Sequence, residues 1–252
     1  MRRVLFWVVA ALLAIPALTL TVARVFDSDN GTMIRIEAFT PLAMPVYVVL
    51  VVWLALGAAL TKGRRREPVT AAVLAVVLLG LHVWWFAPQV VGSNPAPAEG
   101  AQRIVVMNAN LYEGRGSAED VVDAVRDNHV DVLVLEEITP QLLEQMDALG
   151  LAELLPDRVG EPDPFVAGTM ILADQPLTDH VRLRTVFQGW EATYDGLTVL
   201  GVHPVAPVDP AGWKADHAAI LKQAEDDQAD LIVGDMNATA DHEPMRQLDD
   251  AG

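Results

Sequence analysis

Hydrophobic and polar positions change their pattern at about residue 91. Before it lie three long apolar stretches, 4–25, 39–60 and 69–91. The first is interrupted only by Thr19, Thr21 and Arg24 near its end. Each has the roughly 20 residues that a helix needs to cross a hydrocarbon core about 30 Å thick, so three transmembrane helices are expected. After residue 91 the apolar residues come in short runs that end in polar side chains, the pattern of buried strands. Residues 103–110 end in Asn108 and Asn110, 131–138 carry Glu136 and Glu137, 197–204 end in His203, and 229–238 end in Asp235 and Asn237.

Between these runs the spacing turns helical. Over 117–128, Val121, Val122 and Val125 share a face, with Ser117 as the cap. Thr139 caps a helix over 139–149, with Pro140 at its first position. Residues 213–227 read as a helix, and 242–250 as another, capped by Asp241 or Thr239. Residues 166–172 are strand-like. Tyr194-Asp195-Gly196 signals a hairpin between 181–193 and 197–202. Strand, helix and strand over 103–138 make a β-α-β unit.

Composition and charge follow the same boundary. The net charge is −17, yet residues 1–99 hold 8 basic and 5 acidic residues against 9 and 29 in the remainder. So acidic a second part lacks the Lys and Arg that supply most non-specific affinity for nucleic acid, and a nucleic-acid partner is disfavoured. With no cysteine, no disulfide can form. Residues 92–101 are rich in Gly, Ser and Pro and read as a linker between a membrane domain, 1–91, and a second domain, 102–252. Arg2 and Arg3 before the first span could begin a signal peptide, but two further spans follow directly. Lys62, Arg64, Arg65 and Arg66 lie between spans two and three. Both clusters fit the cytoplasmic side, which sends the second domain outside a cell membrane crossed several times. Trp84 and Trp85 suit the outer interface, and His82 reads as a helix-contact or interfacial histidine.

The four polar strand ends describe a site. α/β folds build sites from strand ends and the loops beyond them. Asp235 and Asn237, two residues apart, offer one group to orient a proton and another to hold an oxyanion. The segments Met-Asn-Ala-Asn-Leu at 107–111, Leu-Glu-Glu-Ile at 135–138, Gly-Thr-Met-Ile-Leu-Ala-Asp-Gln-Pro-Leu at 168–177, Gly-Val-His-Pro at 201–204 and Val-Gly-Asp-Met-Asn-Ala at 233–238 resemble, in this order, the endonuclease/exonuclease/phosphatase family, in a membrane-anchored bacterial type.

The resemblance implies the α/β class, a two-sheet α/β sandwich that cleaves phosphate esters with a divalent cation, Mg²⁺ or Mn²⁺. It implies that Glu137 and Asn108 hold the metal. His203 would contact the phosphate or assist the leaving group, Asp235 would orient the attacking water, and Asn237 would stabilise the pentacoordinate phosphate. Glu136, its neighbour on a strand, is expected to face the other way. Asn110 stands where some relatives have aspartate. The late Asp-His pair of the family is not reached before Gly252; the sandwich is expected to be incomplete at its C-terminus and turnover by this chain to be low or nil. Asp241-His242 is expected to cap a helix rather than replace that pair. The substrate class stays open among DNA, lipid head groups and small phosphate esters, and oligomeric state is open. The competing expectation is a catalytically dead membrane protein that keeps the fold for binding or structure.

Overall fold

The computed structural model describes residues 2–60, 65–92, 96–98, 100–101 and 103–251. Lys62 and Arg64 of the basic cluster, and much of the linker, lie outside the described residues. The chain forms two compact units: residues 1–96 with 240–246, and residues 97–239 with 247–252.

In the first unit, α1 (Arg2–Phe26), α3 (Ala43–Leu60) and α4 (Arg66–Val90) are long helices. The candidate spans, Arg3–Phe26, Thr40–Leu60 and Arg66–Val90, are long and apolar enough to cross a membrane. A short helix, α2 (Gly31–Glu37), fills the connection between the first two and was not foreseen; the Asn30 side chain caps it by accepting from Thr32 and Met33 N–H. Ala17, Ala43, Tyr47 and Leu54 pack between the helices, where Tyr47 and His82 both hydrogen-bond Thr21. His82 is therefore a helix-contact histidine. Asp241 pairs with Arg24 at 3.1 Å, and Arg246 pairs with Asp27 and Glu37. The Asp241 carboxylate is thus turned to a guanidinium. The backbone carbonyl of His242 receives the first amides of α9 (Glu243–Ala251).

The second unit contains two four-stranded sheets, β1-β2-β4-β3 and β5-β6-β7-β8. The first holds β1 (Val106–Asn110), β2 (Val132–Glu136), β3 (Asp157–Glu161) and β4 (Thr169–Ala173); the second holds β5 (Leu177–Arg182), β6 (Trp190–Tyr194), β7 (Leu197–Val202) and β8 (Leu231–Gly234). The pairs β1–β2 and β7–β8 are parallel and the others antiparallel. The strand β3 escapes the apolar pattern because its sequence, Asp-Arg-Val-Gly-Glu, holds one large apolar residue. The expected strand 181–193 is two strands separated by a loop at 183–189. The hairpin forms as expected, with Asp195 at φ 48° and Gly196 at φ 83°.

Side-chain alternation assigns each strand face a layer. On β2, Leu133 and Leu135 pack with α5 (Ala118–Asn128), α6 (Pro140–Ala148) and the single turn α7 (Leu151–Leu154), together with Val122, Val125, Met146 and Leu151. Val132 and Val134 face the second sheet, in a core with Ile171, Ala192, Tyr194 and Val199. On the far face of the second sheet, Leu200 and Val202 pack with Ile220 of α8 (Pro210–Asp226). The result is helix, sheet, sheet, helix. The sheets approach closely at Gly201, where an added Cβ would lie 2.7 Å from Ile171.

Candidate active site

The same alternation decides which polar side chains meet. Val106 shares the inter-sheet core, so Asn108 and Asn110, two and four residues on, face the same layer. Val132 and Val134 put Glu136 there. Val199 puts His203 there, and Leu231 and Val233 put Asp235 there. Asn108, Asn110, Glu136, His203 and Asp235 therefore stand toward one end of the inter-sheet layer, Asn108 in the middle of β1 and the others at or just past the C-terminal ends of their strands.

Glu137 arrives by a different route. Alternation would send it toward the helices, but its φ of 55° is left-handed and reverses the chain. Its Oε1 accepts from the Asn110 amide at 3.1 Å, and its Oε2 accepts from the backbone N–H of Glu113 at 2.7 Å. The same Asn110 amide donates to Asp235 Oδ2 at 2.9 Å. His203 Nε2 lies 3.9 Å from Glu137 Oε1. Residues from β1, β2, β7 and β8, spread over 125 positions, thus converge on one place.

One expectation about orientation needs amendment. Glu136 does not face away: it is fully buried, and its Oε1 accepts from the Asn108 amide. The converging side chains lie on the inter-sheet side, which is the side alternation gives to position 136. Burial pushes its carboxyl up to about 8, and the charge of Asp235 adds to that, against the stabilising Asn108 bond. The Asn108 amide also donates to Val134 O at 3.5 Å, which leaves Oδ1 as the acceptor of that side chain.

His203 is buried against the ring of Phe187, 5.0 Å away between centroids. Burial lowers its pKa; the charges of Asp235 and Glu137 oppose that shift. Asp235 Oδ1 accepts from the backbone N–H of Asn237 at 2.9 Å. Asn237 leaves the strand with φ 47°, and its side-chain amide donates to Pro204 O at 3.0 Å. It thereby ties the loop after β8 to the loop after β7. This close approach requires glycine at the end of β8: Gly234 has φ 152°, and an added Cβ would sit 1.8 Å from Val202 O.

One helix behind the site was read from the sequence only as a helix over 213–227. Trp213 Nε1 of α8 donates to Asn237 O at 3.0 Å, and His217 Nε2 lies 3.1 Å from Met236 O. The buried Asp216 carboxylate accepts from Val186 N–H and Val205 N–H at 2.8 and 2.9 Å, joining the loop that carries Phe187 to the one that follows His203. The i, i+3, i+4 spacing of Trp213, Asp216 and His217 was the available signal, since polar groups on the apolar face of a helix need buried partners.

The donor set can be tested for a cation. Hard cations take oxygen ligands, and Mg²⁺ uses one or two carboxylates with water completing its shell. Glu137 and Asp235 both point acceptors at a single N–H₂ group, which marks a place that favours positive charge. Among the described residues no group of three or more His, Asp or Glu forms a metal-holding cluster. A site with few protein ligands fits these residues; a full protein cage does not.

A family model described as the endonuclease/exonuclease/phosphatase family matches residues 107–252. The chain belongs to that family, and it is a hydrolase acting on phosphate ester bonds. The family generally uses divalent metals. No curated protein matches the chain. Similar solved structures include sphingomyelinase C from Streptomyces griseocarneus, with 16% identity over 60% of this chain and 70% of that one at a TM-score of 0.45. A β-hairpin deletion mutant of β toxin from Staphylococcus aureus has 13% identity over 60% and 73% at 0.44. TDP2 from Caenorhabditis elegans has 15% identity over 79% and 67% at 0.46.

Proposed function

We propose that this chain is a membrane-tethered phosphoesterase that hydrolyses a phosphodiester or phosphomonoester by attack of an activated water. The observation that carries the reading is the convergence of Glu137, Asn110, Asp235 and His203 at the strand ends. Glu137 and the Oδ1 of Asn108 would hold Mg²⁺ or Mn²⁺. Such a cation, when bound, neutralises charge on the phosphate oxygens.

The remaining roles belong to side chains. Asp235 orients the water and takes its proton; the Asn237 N–H fixes that carboxylate by holding Oδ1. Asn237 has one amide hydrogen committed to Pro204 O and a second to offer a phosphoryl oxygen, which is worth most where charge develops. Burial keeps the His203 imidazole neutral near pH 7, so it meets the phosphate as a neutral N–H donor. The acidity of residues 100–252 favours a lipid or small phosphate ester over nucleic acid.

Cation titration of the full chain in detergent tests this reading. A ligand at a hundred times its Kd stabilises the folded state by about 2.7 kcal/mol, which for a unit of this size raises Tm by roughly 5–10 °C. Turnover of bis-p-nitrophenyl phosphate by this chain is expected to be low, and what there is should depend on Mg²⁺ or Mn²⁺. An unchanged Tm at saturating cation would refute the metal assignment.

The second unit is placed outside the cell, because Arg2 and Arg3 precede the first span and Arg65 and Arg66 precede the third. Alkaline phosphatase fused after Pro97 should be active and a cytoplasmic reporter there silent. The reverse pattern would invert the topology.

A further inference from the structure

Beyond residue 100, the exposed large hydrophobic side chains among the described residues are Tyr112, Leu149, Phe165, Val181, Val186 and Val208. Single exposed apolar residues are ordinary, but four of these six share one end of the unit. Tyr112 lies in the loop after β1, Phe165 between β3 and β4, Val186 between β5 and β6, and Val208 after β7. Register fixes where these loops sit. Thr169 at the start of β4 pairs with Glu136 at the end of β2. Trp190 at the start of β6 pairs with Arg182 at the end of β5 and with Gly201 near the end of β7. All four loops therefore leave their strands at the end that carries Glu137, His203 and Asp235. Leu149 follows α6, which starts at that end and runs back from it.

The tips are built rather than slack. Tyr112 is 65% exposed with φ 48°, a conformation that bulky side chains avoid, and Asn110 Oδ1 holds its N–H at 2.9 Å. Phe165 is 74% exposed on a turn fixed by Asp163 Oδ1, which accepts its N–H at 2.8 Å. The N–H of Val186 is held by the buried Asp216. Val208 precedes Asp209, the cap of α8. Basic residues accompany them: Arg115, whose guanidinium lies 4.8 Å from the Tyr112 ring centroid, and Arg182 and Arg184 at the end of β5 and in the loop beyond.

We propose that these loop tips form a docking surface for a lipid bilayer, with Tyr112, Phe165, Val186 and Val208 entering the interface and the three arginines meeting head-group phosphates. The phosphate ester delivered to the site is then one carried by a lipid; this last step rests on the hydrolytic reading above, whereas the docking does not. Two arguments select a bilayer. The chain carries three helices of membrane-spanning length, so a bilayer is present at high effective concentration beside the tethered unit. Aromatic and aliphatic tips interleaved with Arg on separate loops match a membrane interface; a protein partner would instead call for one contiguous, well-packed apolar core.

The absence of cysteine makes the test direct. Phe165→Cys, Val208→Cys and Leu149→Cys are made in the full chain, spin-labelled and placed in phosphatidylcholine nanodiscs. Collision with a water-soluble nickel chelate is expected to be about tenfold lower at 165 and 208 than at 149. Equal aqueous accessibility at all three would overturn the proposal. Separately, Phe165→Ser with Val208→Ser should lower hydrolysis of phosphodiester lipid in vesicles by about tenfold, with bis-p-nitrophenyl phosphate unaffected. Equal loss on both substrates counts against docking. A parent chain inactive on both sinks the hydrolytic reading and leaves the label result to decide the docking.

Discussion

Glu137→Gln is expected to remove the cation-dependent rise in Tm and to lower cation-dependent hydrolysis by roughly a hundredfold or more. Glutamine is nearly isosteric and keeps one acceptor oxygen, which can still receive the Glu113 N–H that holds Glu137 Oε2. What it loses is the negative charge, and it sets an amide N–H₂ against the Asn110 N–H₂ that now donates to Oε1. The fold should survive, because the lost contact is a partly solvated hydrogen bond of about 1 kcal/mol. Thermal unfolding with EDTA should therefore put parent and variant within a few degrees, while the same scan with excess Mg²⁺ separates them. A variant that keeps both the parent's cation response and its rate would show that Glu137 is not a ligand. Asp235→Asn makes a useful companion, since it should lose rate while retaining more of the cation response.

The elements that the sequence announced most clearly are those whose local chemistry and tertiary role agree. Ser117 and Thr139 cap the helices they were expected to cap, accepting from Asp120 and Leu142 N–H. The four strands ending in Asn, Glu, His and Asp are all present. What escaped depends on the other half of the molecule. The polar β3 is a strand because its backbone pairs with β4, and no apolar pattern reports that. The direction of Glu136 escapes the sequence because alternation tells which residues share a face but not which face carries the site. The apolar partners Val132 and Val134 on its own strand could have settled it once the inter-sheet layer was known. Asn110 stands in the sequence only as a departure from the aspartate of some relatives; in the fold it is the amide on which two carboxylates converge.

Glu136 gives the second large effect, on stability rather than rate. Its carboxyl is fully buried and raised from 4.5 to about 8, chiefly by burial. Among the described residues Glu136 Oε2 has no hydrogen-bond partner, so the protonated form is the one that suits the site. The sign follows from linkage. Between the unfolded value, 4.5, and the folded value, about 8, the folded state binds the proton and the unfolded state releases it, so stability falls as pH rises through that window. At about 1.4 kcal/mol per pH unit the fall between pH 5 and pH 8 is on the order of 4 kcal/mol. Glu136→Gln removes this dependence. Its Oε1 can still accept from the Asn108 amide, while its N–H₂ replaces the unpartnered oxygen and forfeits roughly 1–2 kcal/mol as a buried donor. The variant should therefore be no more stable than the parent at pH 5 and more stable by roughly 2 kcal/mol at pH 8. Glu37, raised to about 7 in the first unit, tilts both proteins alike, so the informative quantity is the difference between them. Unfolding of the full chain in detergent with EDTA from pH 5 to pH 8 measures it. Parallel curves for parent and variant would mean that Glu136 is already ionised in the folded protein, held by the Asn108 amide and nearby backbone N–H groups.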